Sequence, residues 1–123
     1  MGQYTSKIYF LNALERMRAL VPQAHFYVFS DDLLWVRQNL PLSDATFVDW
    51  NMGKDSWQDM MLMSLCRHNI ICNSTFSWWG AWLNNNPGKT VLAPDRWSLL
   101  YPTPYLNCPS WIPVSTKNNP EEA

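Results

Sequence analysis

The feature that most constrains this 123-residue chain is an alternation along its length. Short, nearly continuous apolar runs at residues 25–30, 46–50, 69–72 and 90–93 are separated by segments with helical periodicity. Strands that are apolar on both faces suit a parallel sheet, where helices cover both sides. Strands joined through helices return by right-handed crossovers. The expected order is therefore α-β-α-β-α-β-α-β, an α/β fold with a short parallel sheet between helical layers.

The helical segments have recognisable ends. Residues 5–21 carry Phe10, Leu14, Met17 and Val21 on one stripe, with Thr5 or Ser6 available as a cap and Pro22 as a stop. Asp31 and Asp32 can open a short helix that runs through Asn39, before Pro41 breaks the chain. Asp55 or Ser56 begins a helix to about His68, with Ser56 and Asp59 forming a pair of capping-box type. The last helix, 76–84, is expected to turn Phe76, Trp79, Gly80 and Leu83 to one side, with Gly80 allowing close approach of a neighbour. Met60, Met61 and Met63 read as core fillers. Residues 1–100 are expected to form one domain. Residues 101–123 form a Pro-rich tail, extended and irregular, fraying beyond Asn118.

Composition removes several function classes. The formal net charge is −1 and no Lys/Arg cluster exceeds two residues, which argues against a nucleic-acid partner. The same scarcity of cations means that an anionic ligand must be held largely by backbone N–H groups, or by cations supplied from elsewhere. No apolar run approaches the length of a membrane span. Cys66, Cys72 and Cys108 are odd in number and irregular in spacing, as expected of reduced thiols in a cytosolic setting. A zinc site built from Cys66, His68 and Cys72 would lack a second ligand pair, so that segment reads as a helix end running into a strand. The start Met1-Gly2-Gln3-Tyr4-Thr5-Ser6 formally fits an N-myristoylation pattern, but chance, or a start codon at a gene-fragment boundary, is the favoured reading.

Ligands of open parallel sheets bind at the carboxyl ends of the strands. Ser30, Asp31 and Asp32 fall there after the first strand. They can contact a ribose, base or sugar, or Asp31 or Asp32 can simply cap the next helix. Asn73, Ser74, Thr75, Phe76 and Ser77 fall there after the third strand, where amides at a helix start and the helix dipole form an anion site. A plain N-cap by Ser74 or Thr75 is the competing reading. Asn73-Ser74-Thr75 is also an N-glycosylation sequon. Asp59, in the first turn of its helix, either complements the dipole or reaches a ligand at the sheet edge. Trp78 and Trp82 share a helix face, which serves either core packing or an aromatic platform for a sugar. Neither His25 nor His68 is singled out as a base, and both read as structural.

Several of these segments together resemble the C-terminal half of the α-1,2-fucosyltransferases of glycosyltransferase family 11. The resemblance rests on Phe29-Ser30-Asp31-Asp32 with Trp35, on residues 59–66, on the run Ile70-Ile71-Cys72-Asn73-Ser74-Thr75-Phe76-Ser77-Trp78-Trp79-Gly80-Ala81-Trp82-Leu83-Asn84, and on Ala93-Pro94 with Trp97. It implies a Rossmann-like three-layer domain, the donor-binding half of a GT-B enzyme. Such an enzyme transfers fucose from GDP-L-fucose to the 2-hydroxyl of a galactose-containing acceptor, with inversion and without a metal or other cofactor. Donor-binding roles would fall to Ser30, Asp31, Asp59, Asn73, Ser74, Thr75, Phe76 and Ser77. Similar bacterial enzymes work in the cytoplasm near the membrane.

The family's His-x-Arg-Arg-Gly-Asp motif, expected upstream of residue 4, is not among these residues, nor is an N-terminal acceptor domain. Cys72 stands where the family often has Ala. The expectation is weak GDP binding and no transfer by these residues alone. A non-catalytic nucleotide-sugar or glycan-binding module, and a flavodoxin-like domain using Asp31 and Asp32 as an acidic pocket, are the alternatives.

Overall fold

The computed structural model describes residues 7–30, 32–40, 42–48, 57–72, 75–95 and 110–116. The elements run α1 (Lys7–Leu20), β1 (Phe26–Phe29), α2 (Leu33–Asn39), β2 (Ala45–Val48), α3 (Trp57–Leu65), β3 (Asn69–Ile70), α4 (Thr75–Trp82), β4 (Val91–Pro94) and β5 (Ile112–Val114). The alternation expected from sequence is present. Each strand pair is parallel: Phe26 lies opposite Ala45, Asn69 opposite Val91, and Leu92 opposite Ile112.

Two features differ from expectation. The strands form two hydrogen-bonded sets, β1-β2 and β3-β4-β5, where one sheet was expected. The sets meet through side chains: Phe26 of β1 packs on the same core cluster as Ile70 and Ile112. The second difference is β5, which lies in the stretch read as an irregular tail. Its Pro113 obscured it, because proline cannot donate to a ladder. The register resolves the conflict. Asp95 donates to the Val114 carbonyl at 3.0 Å, so the residues of β5 on either side of Pro113 face β4 and Pro113 faces away.

β4 is the centre of the three-stranded set and is buried along its whole length. Its side chains alternate between two cores, as a pleated strand requires. Val91 and Ala93 join Ile71, Ala81 and Trp111 on the α4 side, with Trp78 packed against them. Leu92 joins Tyr9, Ala13 and Met17 of α1, together with Val114, on the other. Helix, sheet and helix are thus stacked in three layers. Burying Leu92 and Met17 stabilises this arrangement by about 1.5–3 kcal/mol each.

The buried face of α4 is also not the expected one. Trp79 and Leu83 are about half exposed, at 47% and 48%, while Ser77, Ala81 and Asn84 point inward. Gly80 faces α3. Periodicity could not decide this, because α4 is apolar nearly all round. The hydrogen bonds of Asn84 decide it. Its Nδ2 donates to the Cys66 carbonyl and to Asn69 Oδ1, each at 2.7 Å, and its Oδ1 accepts from the Asn86 amide at 2.9 Å. Lys89 closes the same end, donating to the Ala81 and Asn84 carbonyls at 3.0 and 2.7 Å. In α3 the methionines are not deep core: no residue of that helix is buried, Met61 is exposed, and Met63 lies against Gly80.

Candidate functional site

The carboxyl ends of β3, β4 and β5 converge on one edge, and α4 starts there. β3 ends at Ile70, and Ile71 makes one more rung, its amide donating to the Leu92 carbonyl at 2.9 Å. The chain is helical again from Thr75. Ser77 ties that helix to the end of β3. Its hydroxyl donates to the Cys72 carbonyl at 3.1 Å and lies 3.5 Å from Cys72 Sγ. Ser77 is only 8% exposed, so this tie between α4 and Cys72 is a largely buried one. The first-turn amides of a helix have no acceptors within that helix, and the positive end of the dipole lies with them. A helix start at the carboxyl end of a strand is the kind of place where anions bind.

Tyr9 of α1 reaches the same edge. It is fully buried, and its hydroxyl donates to the Ile71 carbonyl and lies 3.3 Å from the Leu92 carbonyl. Burial, with smaller contributions from Cys72 and Asp95, pushes its phenol well above the ordinary value, so it stays a neutral donor. At the end of β4, Asp95 Oδ1 accepts from the Thr116 amide at 3.1 Å and from its hydroxyl at 2.8 Å, fixing the carboxylate against the end of β5. Sequence reading missed Tyr9 and Asp95. Asp95 could have been found from its place directly after an apolar strand.

The other expected positions are distributed as follows. Ser30 and Asp32 serve the local turn: the Asp32 amide donates to Ser30 Oγ at 3.0 Å, and Asp32 Oδ1 caps α2 by accepting from the Trp35 amide at 3.2 Å. Asp59 sits in the first turn of α3, half-buried. Phe76 and Ser77 lie in the first turn of α4, and Thr75 opens that helix. Asp31, Asn73 and Ser74 lie outside the described residues, as do Thr5, Ser6 and Ser56. The structure brings Thr75, Phe76 and Ser77 to one edge with Cys72; Ser30 follows β1, in the other strand set.

Three of the described cations are engaged elsewhere. Arg18 pairs with Asp44 at 2.9 Å and lies over the Phe26 ring, Arg37 lies over Phe47, and Lys89 closes the far end of α4. The Arg18 guanidinium holds the Asp44 carboxyl below its usual range. Among the described residues no three His, Cys, Asp or Glu side chains converge as a metal site. His68 is occupied by the backbone, its Nδ1 accepting from the Thr90 amide at 2.8 Å, and burial pushes the Cys66 thiol up. Among the described residues no helix is long and apolar enough to cross a membrane.

Fold and edge together define a parallel three-layer α/β domain whose candidate site is the junction between the end of β3 and the start of α4. The chain belongs to glycosyltransferase family 11: the description "Glycosyl transferase family 11" matches residues 2–99. It is 37% identical over 105 residues to the O-antigen biosynthesis glycosyltransferase WbnK of Escherichia coli, covering 85% of this chain and 35% of that protein. It is 36% identical over 91 residues to an alpha-1,2-colitosyltransferase of the same organism, covering 72% and 31%. With the human galactoside alpha-(1,2)-fucosyltransferase 1 the identity is 26% over 127 residues, covering 97% and 34%. The chain therefore spans about a third of the length of these curated relatives. No solved structure matches it. The chain is glycosyltransferase sequence, and the relatives named for a sugar are fucosyl- and colitosyltransferases.

Proposed function

We propose that this chain is the donor-binding part of an inverting α-1,2-fucosyltransferase of GT-B type, with GDP-L-fucose as donor and a galactose-containing glycan as acceptor. The observation that carries the proposal is the β3–α4 junction: Ser77 of the first turn of α4 bonded to the Cys72 carbonyl, at the carboxyl end of parallel strands. The diphosphate would rest on the amides around Thr75, Phe76 and Ser77, with donor-binding roles also for Asn73 and Ser74. Ser30, Asp31 and Asp59 would orient nucleoside or sugar.

Fucosyl transfer builds negative charge on the departing GDP while the sugar passes through an oxocarbenium-like state. Donors already aimed at that charge stabilise the transition state more than the ground state. The remaining length of the relatives would supply a facing second domain and the arginine counter-charge, and the whole enzyme would work at the cytoplasmic face of the membrane. Losing one such donor costs on the order of 10²–10³ in rate. The 123 residues alone are therefore expected to bind GDP weakly and to transfer nothing. Titration of the isotope-labelled chain with GDP and GDP-fucose should shift the Cys72, Phe76 and Ser77 amides first. Shifts confined to other elements would refute the placement, and transfer of radiolabelled fucose to lactose by this chain would refute the division of labour.

A further inference from the structure

The Ile71 carbonyl raises a problem that the register makes explicit. Asn69 donates to the Thr90 carbonyl at 3.0 Å and Ile71 to the Leu92 carbonyl at 2.9 Å. In a parallel ladder, a residue that donates to one position receives from the residue two further along the partner strand. The Ile71 carbonyl is thereby assigned to the amide of residue 94. That residue is Pro94, which has no N–H. The ladder between β3 and β4 must stop there, with an acceptor at Ile71, a residue only 2% exposed.

The Tyr9 hydroxyl fills this vacancy in the register. It comes from α1, remote in sequence, and donates to the Ile71 carbonyl while lying 3.3 Å from Leu92 O, the acceptor of the preceding rung. The residue after Ile71 is Cys72, whose carbonyl Ser77 holds. We infer that Tyr9 is a positioning residue for the donor site: it replaces the rung that Pro94 cannot make, and so fixes the point at which β3 parts from β4 ahead of α4. A backbone rung would keep the strands paired for longer. A side-chain rung holds the last carbonyl and ends the pairing there. The functional half of this inference rests on the donor-site reading given above.

Amide hydrogen exchange on the full 123-residue chain, with Tyr9→Phe and the double variant Tyr9→Phe/Pro94→Ala, tests it. The phenylalanine removes only the hydroxyl, and exchange at Ile71, Leu92 and Ser77 is expected to quicken about tenfold relative to β1 and β2. Pro94→Ala restores an amide at the position the register calls for, and the double variant is expected to recover most of that protection. Equal acceleration throughout the chain, or no recovery in the double variant, overturns the assignment. Should Tyr9→Phe fail to fold, the wild-type spectrum decides: a slowly exchanging Tyr9 hydroxyl proton close to Ile71 is required, and its absence overturns the inference. GDP titrations separate the two readings. A wild type that shows no shifts between Cys72 and Ser77 retires the donor site and leaves the exchange result standing. Shifts with an affinity unchanged by Tyr9→Phe overturn the positioning role, for which a fall of about tenfold is expected.

Discussion

Gly80 of α4 lies so close to Met63 of α3 that a β-carbon at position 80 would fall 2.9 Å from Met63 Cβ and 2.9 Å from its Sδ. That contact joins α4 to α3, none of whose residues is buried. Gly80→Ala sets two effects against each other. Alanine improves intrinsic helix stability by about 1 kcal/mol. Overpacking costs about 1–3 kcal/mol, and here the nearer obstacle is a β-carbon, which cannot swing aside. Overpacking is expected to win, lowering the urea midpoint. Met63→Ala in the Gly80→Ala background removes the sulfur contact and keeps the β-carbon contact, so recovery should be partial.

Asn84 is the second structural pivot, 1% exposed and bonded on both ends of its amide. Asn84→Ala strips partners from Asn69 Oδ1 and the Asn86 amide, while the Cys66 carbonyl keeps its bond from Asn86 Nδ2 at 2.8 Å. A loss of about 2–3 kcal/mol in denaturant unfolding is expected. Asn84→Asp should be worse than alanine at neutral pH, because an acceptor-only carboxylate would face the Cys66 carbonyl and Asn69 Oδ1.

These positions show how much of the fold was legible. The element order was, since short apolar runs and proline stops such as Pro22 mark themselves locally; burial on both faces was not, because it holds for β4 alone, and β1 leaves Tyr27 54% exposed. Gly80 was read as a close approach, and its neighbour is Met63. Less could be read where the deciding interaction is long-range and polar. Phe76, Trp79 and Leu83 form as good a stripe as any on α4, and only the bonds from Asn84 to Cys66 and Asn69 select the face. β5 was hidden by Pro113, whose harmlessness depends on which side of the strand faces β4. At the candidate site, the 70–77 segment was marked by its strand-to-helix switch and its hydroxyls. Tyr9 was not, because nothing in residues 7–20 signals a hydroxyl that ends a ladder between β3 and β4.

His68 gives the fold a pH dependence with a definite sign. Its Nδ1 accepts from the Thr90 amide, which requires that nitrogen to be unprotonated. Burial and the neighbouring Arg67 lower its pKa below the ordinary value of about 6.5. The unfolded chain therefore binds the proton first as pH falls. The stabilisation is complete above about pH 6.5 and is lost as pH drops towards the folded-state value. His68→Asn keeps an acceptor near the Thr90 amide and removes the titration. Urea midpoints at about pH 7.5 and 5.5 should differ less for this variant than for the wild type. An equal difference would place the pH dependence in other groups.

Ser77 and Cys72 separate bracing from ligand contact at the proposed donor site. The Ser77 hydroxyl donates to a backbone carbonyl, and the nearby Cys72 sulfur is a weaker partner at 3.5 Å. Cys72→Ala should therefore leave the brace, the stability and any GDP affinity close to wild type. Ser77→Ala should cost about 1 kcal/mol in stability, as loss of one largely buried hydrogen bond does. It should also weaken GDP binding, because the Cys72 carbonyl is released and the amides of the first turn of α4 lose their fixed aim. The two variants share a site and differ in which atom they remove, so calorimetric stability and GDP-induced amide shifts measured on both form a matched pair. Weaker binding in Ser77→Ala with none in Cys72→Ala is the expected pattern. Equal loss in both would mean that the side chains line the ligand pocket, and the hydroxyl's role as a brace would have to be abandoned.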